Sequence, residues 1–364
     1  MRLIKGLRPR WRKVLSDLAD NKLRTILVVA SIAVGIFAVG TIANSHLIVS
    51  EDISVGYAAA RPANIQIWTD PFDNALADSI GRMPGVGTAE GRHIVSVRFS
   101  EDGQTWDVYD LVASDDFAGS EINLLKPYAG TNIPGDKELL IERNVFGEFT
   151  YEVGDQVQVL LPGDTIRTLP VVGIVQDEAG DSADFTSSPK GYITLDTLEW
   201  LGQGREYNRL LATVSGNADD QAHIAAMAGD IEDKLERSRR QVYRTLLGKT
   251  SEHPMTPTVN AMQSVLLTLG ILIVILSGSL IANTLNALLS QHLRQIGVMK
   301  LVGARRFQIM SMYLLLIVAF AALALIVAVP LASVAGYRLA LFIASQLNIS
   351  LQGFRWSPIV MILQ

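Results

Sequence analysis

The chain has no cysteine in 364 residues, which excludes disulfide frameworks and thiolate metal sites and leaves the redox compartment unmarked. Charge is scarce too: 18% of residues are Asp, Glu, Lys or Arg and 49% are hydrophobic, the balance of a membrane protein with a large polar part. The scarcity is local. Gln263–Gln291 and Phe307–Tyr337 contain none of the four charged types, and each exceeds the roughly 20 residues that cross a bilayer core as a helix. A phosphate loop is missing as well. Gly248-Lys249-Thr250 supplies its final triplet, but Tyr243 stands where its first glycine is required, and no buried strand precedes it. Gly85 and Gly87 lack the third glycine, at Glu90, of a dinucleotide fingerprint. The five histidines (His46, His93, His223, His253 and His292) are scattered without ligand spacing. The many carboxylates read as a solvated acidic surface. No catalytic, cofactor-binding or metal residue emerges, so the chain does not read as an enzyme.

The charges present are sharply sorted. Residues 1–25 hold eight Lys and Arg against Asp17 and Asp20, while residues 51–259 hold 17 basic and 34 acidic residues, a net charge of −17. Lys and Arg accumulate on the cytoplasmic side of membrane proteins, so the N-terminus is expected inside and the acidic block outside. The basic residues gather at the inner membrane face, which argues against nucleic acid as a partner. Residues 1–22 read as a cytoplasmic amphipathic helix on anionic lipid, with Trp11, Val14, Leu15 and Leu18 on one face. Residues 23–48 are the first span. Its apolar run is too long for a signal peptide and no small-residue cleavage site follows before Glu51, so a signal anchor is expected. Ser31 and Gly35 within it form a small-xxx-small pair suited to close helix contact.

The spacing of apolar residues in 51–258 predicts a mixed α and β domain. Strands are expected at Ala63–Trp68, Arg92–Phe99, Thr105–Val112, Gln156–Leu161 and Leu169–Val175, with weaker signals at Tyr192–Leu195 and Leu210–Val214. Helices are expected at Asp73–Met83 and, with Ile224, Met227, Ile231, Leu235 and Val242 on one face, across Asp219–Leu247. This order suggests one α/β subdomain from 51–115 with 205–250 and a mostly β subdomain from 116–204. The fold class is therefore α-helical transmembrane spans with a large α+β extracytoplasmic domain between the first and second. Residues 259–291 form the second span with a stalk, 308–345 the third, and 346–357 an outer loop. A new apolar run at 358–364 is expected to open a fourth span that the sequence truncates.

Between the second and third spans lies Leu293–Arg306, with four basic residues and no acidic one, which places it in the cytoplasm. Ile296, Met299 and Val302 recur at helical spacing, and Gly297 and Gly303 leave room for another backbone. Residues 294–304 resemble the "REIGVLRALGA" signature of FtsX/MacB-type ABC transporter permeases. Ile296, Gly297, Gly303 and Ala304 match it, Lys300 replaces an arginine, and Gln295 stands where the family has glutamate. Phrases in the acidic block, GDKELLIERN and YEVGDQVQVLLPG, resemble the MacB-type periplasmic core domain.

The resemblance implies that residues 292–307 are a cytoplasmic coupling helix seated on a separate ABC-type ATPase, with contacts from Arg294, Gln295, Ile296, Gly297, Met299, Lys300, Gly303 and Ala304. It implies a pair of ATPase subunits and a second permease subunit, identical or related. Ser31, Gly35 and Gly278 are expected to line the transmembrane dimer contact. Membrane lipid and an extracytoplasmic accessory protein are further partners, and no cofactor is implied. The function expected is ATP-driven movement of the outer domain for export or extraction of a lipophilic or peptide substrate. The alternatives are an FtsX-like regulator of an extracytoplasmic enzyme and a membrane sensor receptor. The location is the plasma or inner membrane, multi-pass.

Overall fold

The computed structural model describes residues 22–143, 151–161, 165–179, 188–301, 303, 305–346 and 349–355. In chain order the elements are α1 (Lys22–Ala59), β1 (Ile65–Phe72), α2 (Asn74–Gly81), β2 (Val86–Ser100), β3 (Asp107–Ser114), β4 (Lys126–Gly130) and β5 (Leu139–Glu142). They continue with β6 (Gln156–Leu161), β7 (Thr165–Gln176), β8 (Lys190–Thr194), α3 (Leu195–Trp200), β9 (Tyr207–Val214), α4 (Gln221–Arg237), β10 (Val242–Leu247), α5 (Thr256–Leu301) and α6 (Arg306–Gln346). The chain forms two compact units. A helical unit takes Met1–Val49, Thr258–Phe342 and Gly353–Gln364, and a sheet unit takes Ser50–Pro257 with Ile343–Gln352.

In the sheet unit the strand order is β10-β1-β9-β2-β3-β8-β5-β7-β4. The long β2 joins two layers: its first half, to Arg92, pairs antiparallel with β9, and its second half, from His93, with β3. The layer β10-β1-β9-β2 is covered on one face by α2 and α4. Ile224, Ala228, Ile231 and Leu235 repeat at helical spacing along α4 and pack with Ile65, Ile67 and Leu210 in one core. Asp73 and Asp220 cap these helices, accepting from the Leu76 and Ala222 N–H groups at 3.0 Å.

The second layer closes on itself. β6 bonds to both β2 and β7, so β2-β3-β8-β5-β7-β6 forms a six-stranded ring. Closure removes the free edges that an open sheet of this size would expose. Large side chains fill the ring: Phe99 stacks on Tyr109 at 4.3 Å between centroids, and Leu111, Leu139 and Val159 are fully buried. Gly191 on β8 faces this core, where a Cβ would lie 3.0–3.2 Å from Phe99, Leu139 and Leu111. That approach leaves no room for a side chain.

Among the described residues, three helices are long and apolar enough to cross a membrane, over Thr25–Ala59, Thr256–Asn283 and Arg306–Ser345. Helical spans thus flank a large mixed α/β domain.

The structure corrects two expectations for the sheet unit and extends two for the long helices. The helix expected over Asp219–Leu247 ends at Arg237, because Arg239 turns left-handed (φ 59) and β10 pairs with β1, where tertiary pairing overrides the helical phase of Val242. The helix that carries the span expected at 23–48 continues beyond it to Ala59. The segment expected as a coupling helix from 292 continues α5 without a break as far as Leu301. The subdomain boundary expected near 115 falls inside β2, because β3 and the second half of β2 belong to the ring. The amphipathic helix expected over 1–22 lies, up to residue 21, outside the described residues, as does the run at 358–364.

Candidate coupling turn and helix contacts

The turn between α5 and α6 is built from local rules. α5 ends at Leu301, and Lys300 in its last turn suits the negative end of the helix dipole. Gly303 then takes φ +93, a conformation glycine adopts without strain, and its N–H donates to the Lys300 carbonyl at 3.0 Å. Arg305 opens α6. Its N–H donates to the Gln308 side-chain oxygen at 3.1 Å, and its carbonyl accepts from the Gln308 N–H at 2.9 Å, one half of a capping box.

This end of the hairpin is open. A Cβ added at Gly297 or Gly303 would meet nothing within 4 Å. Val298, Leu301 (88% accessible) and Phe307 are exposed beside exposed Lys300, Arg305 and Arg306. An apolar patch ringed by cations, with no acidic residue anywhere after Glu252 in the sequence, is suited to a partner surface that is apolar and acidic. Arg294, Gln295, Ile296 and Met299 lie on the helical backbone of α5, with side chains outside the described set, and Ala304 is outside the described residues.

The three long helices meet through small residues. Gly35 of α1 faces Ser277 of α5, where a Cβ would lie 3.3 Å from the serine, and Gly270 faces Ile42 and Val39. Nearer the C-terminal end of α1, the His46 ring hydrogen-bonds the Gln263 side chain. The α1 positions rise from 35 to 46 as the α5 positions fall from 277 to 263, so these helices are antiparallel. Val28 packs with Leu316 and Phe320 of α6, and Gly336 sits against Thr41, Asn44 and Ser45, so α1 and α6 are parallel.

Gly35, expected at an intersubunit contact, packs against Ser277 of the same chain. Ser31 donates to the Leu27 carbonyl of its own helix at 2.8 Å, while Gly278 has open space around it. The Gly336 notch and the His46–Gln263 pair were not singled out in the sequence. A detectable signal existed for the first, in the four-residue repeat Ala324, Ala328, Ala332, Gly336, Ala340, all buried along α6.

The described part of the sheet unit carries several paired charges. Lys190 reaches Asp177 at 3.0 Å, and the Tyr192 hydroxyl donates to the same carboxylate at 2.8 Å. Arg92 pairs with Glu90 at 2.6 Å and also donates to Ser114 and Ser120. His253 is buried edge-on to Tyr57, with ring centroids 4.8 Å apart, and its Nδ1 accepts from the Met255 N–H at 3.0 Å. Burial lowers its pKa from 6.5 to about 4, against the opposing pull of the Glu178 backbone and Asp177. Among the described residues no group of three or more His, Asp or Glu has metal-ligand geometry.

No curated protein sequence matches the chain. Among solved structures, the extracellular domain of the noncanonical ABC-type transporter YknZ from Gram-positive bacteria aligns with 49% of this chain and 100% of its own, at 12% identity and a TM-score of 0.34. The periplasmic region of MacB from Actinobacillus actinomycetemcomitans aligns with 56% of this chain and 94% of its own, at 9% identity and a TM-score of 0.34. Over residues 267–363, which include most of α5, the Gly303 turn and α6, the chain matches the FtsX-like permease C-terminal family.

Proposed function

We propose that this chain is the permease, or mechanotransmission, subunit of an ABC transporter whose ATPase is a separate cytoplasmic subunit pair. The observation that carries the reading is the continuity of α5. Its 46 residues make a helix about 69 Å long, more than twice the roughly 30 Å of a hydrocarbon core. One stiff element then runs from the connection to the sheet unit down to the open turn at Gly303. Closure of the ATPase pair would push on Gly297, Val298, Lys300, Leu301 and Gly303, and α5 would carry the displacement outward. A pair of ATPases calls for two such chains, as a homodimer or with a related partner, and the open side of α5 around Gly278 is the surface proposed for that contact. The cargo in this scheme is lipophilic or peptidic, taken up outside the bilayer core with an accessory protein.

Gly303→Trp is the test. The variant should insert and bind ATPase, yet spectroscopic probes in the sheet unit should lose their response to ATP. A full response would overturn the mechanism.

The scheme requires residues 51–258 outside and the Gly303 turn inside, as the alternating directions of α1, α5 and α6 support. Because the chain has no native cysteine, single cysteines report cleanly. In intact cells an impermeant maleimide should label Gln104→Cys, in an exposed turn, and spare Arg305→Cys. The reverse pattern would end the reading.

A further inference from the structure

The acidic block holds one strongly basic exception. Lys234, Arg237, Arg239, Arg240, Arg244 and Lys249 supply six of the 17 basic residues in 51–259, and Glu236 is the one acid among them. The fold gathers this segment on a sheet edge: the last turn of α4, the left-handed turn at Arg239, and β10, which ends the strand order and pairs with β1 alone. Among the described residues, Arg237, Arg239 and Arg244 form no ion pair, Arg240 lies in the field of Asp70, and Lys249 pairs with Glu252 at 2.9 Å.

The edge is organised. In register across the sheet, Arg244 of β10 lies beside Trp68 of β1, and Trp68 beside Arg209 of β9. The two guanidinium groups sit 4.9 Å and 3.9 Å from the indole centroid, one on each neighbouring strand. A stacked guanidinium keeps its charge while losing conformational freedom, so Arg244 is held ready beside the edge. From Arg244 to Leu247 the pairing with β1 is regular, and the shift between Trp68 and Thr69, which leaves Tyr243 unmatched, ends that stretch. Tyr243 and Leu247 expose apolar surface along the same edge.

We propose that β10 is a docking edge for an extended acidic segment of another protein, added as a strand beside Arg244–Leu247 with its carboxylates on Arg244 and on Arg237, Arg239 and Arg240. Backbone pairing supplies affinity and the arginines supply selection. Two other occupants fit less well. A second copy meeting this one edge to edge would set Arg244 near Arg244, a like-charge arrangement that destabilises strand pairing. An anionic bilayer would satisfy the cations but leave the N–H and C=O groups of β10 without strand partners. In cells the proposal rests on the outward placement of residues 51–258. In a lipid disc both faces are accessible, so its test can fail without touching that reading.

The full chain is placed in phosphatidylcholine discs, and a fluorescein-labelled dodecapeptide of alternating Val and Glu is titrated by anisotropy. The Val/Glu peptide should bind and the Val/Lys peptide should not. Arg240→Glu with Arg244→Glu should weaken binding by about tenfold or more. N-methylation of alternate residues in the peptide should abolish binding to the unaltered protein, a result that needs no folded variant. Binding that survives N-methylation or charge reversal would overturn the proposal. So would the absence of any binding, a crosslink joining β10 to β10 of a second copy, or charge reversal that alters only adhesion to phosphatidylglycerol vesicles.

Discussion

The two units bury different proportions of large and small side chains. Inside the ring of the sheet unit lie Phe99, Tyr109, Leu111 and Leu139, each fully buried. In the helical unit Leu316 and Phe320 are buried near the start of α6, but from Ala324 to Ala340 the buried positions are Ala324, Ala328, Ala332, Ser333, Gly336 and Ala340, while Ile275, Leu276, Ile326 and Phe342 point outward. The difference follows from the solvent. Water expels large apolar groups, so the sheet unit is held by their burial. Lipid tails accept those groups as readily as protein does, so helices associate where small residues let backbones approach. Polar atoms follow the same division. In the helical unit Ser31, Asn44, Ser264, Thr268 and Ser333 donate to carbonyls of their own helices, while the sheet unit uses cross-strand pairs such as Lys190–Asp177.

The comparison can be broken in three places. Leu111→Ala removes a side chain with no accessible surface and should lower the stability of the sheet unit by about 2–5 kcal/mol in chemical denaturation. Its counterpart Leu276→Ala, at a residue 69% accessible, should leave the helical unit unchanged in lipid. Equal losses would refute the two-solvent account.

A loss of about 3 kcal/mol is expected on acidification through His253. Its folded pKa of about 4 lies below the unfolded value of 6.5, so below pH 6.5 the unfolded chain binds a proton that the folded chain refuses. The contribution is complete above that value and is lost as pH falls to about 4. Denaturation midpoints between pH 7 and 4 should therefore fall less steeply in His253→Gln, and parallel slopes would remove His253 from the account.

The smallest effect, about 1–3 kcal/mol, is expected from overpacking with Gly336→Leu. A Cβ there would lie 2.6 Å from the Asn44 Cβ and 2.8 Å from the Thr41 carbonyl oxygen, so α1 and α6 must separate. Disulfide formation between Val28→Cys and Leu316→Cys, which share a packed cluster, should decline in that variant. An undiminished yield would show that the notch bears no load.

What the sequence disclosed depended on how far each signal reaches. Alternating or unbroken apolar runs marked β2, β3, β6 and β7, because those strands carry their own burial pattern. β4, exposed at all five residues, and the four-residue β5 have none, and both exist because β7 offers them partners. β10 was misread because one valine fell in helical phase, while the decisive facts, the turn at Arg239 and pairing with a strand about 175 residues earlier, are respectively subtle and nonlocal. Closure of the ring through β6 has no sequence signature, since it depends on two strand pairings at once. At the candidate site Gly303 stood out in the sequence only as room for a neighbouring backbone, and the positive φ with which it ends α5 was not legible there. The commitment of Gly35 to Ser277 was not legible either, because a small-xxx-small pair announces a close neighbour without saying which chain provides it.

The repeat along α6 has a geometric consequence. A surface of near-identical small side chains spaced by four residues looks almost unchanged after a slide of ~6 Å along its axis. Such a track resists separation of α1 from α6 but scarcely resists travel. The alignment must therefore be fixed where the track is irregular: Asn44 and Thr41 seated over Gly336, and Val28 packed with Leu316 and Phe320. The rail supplies adhesion, and these detents decide where along it the helix stops.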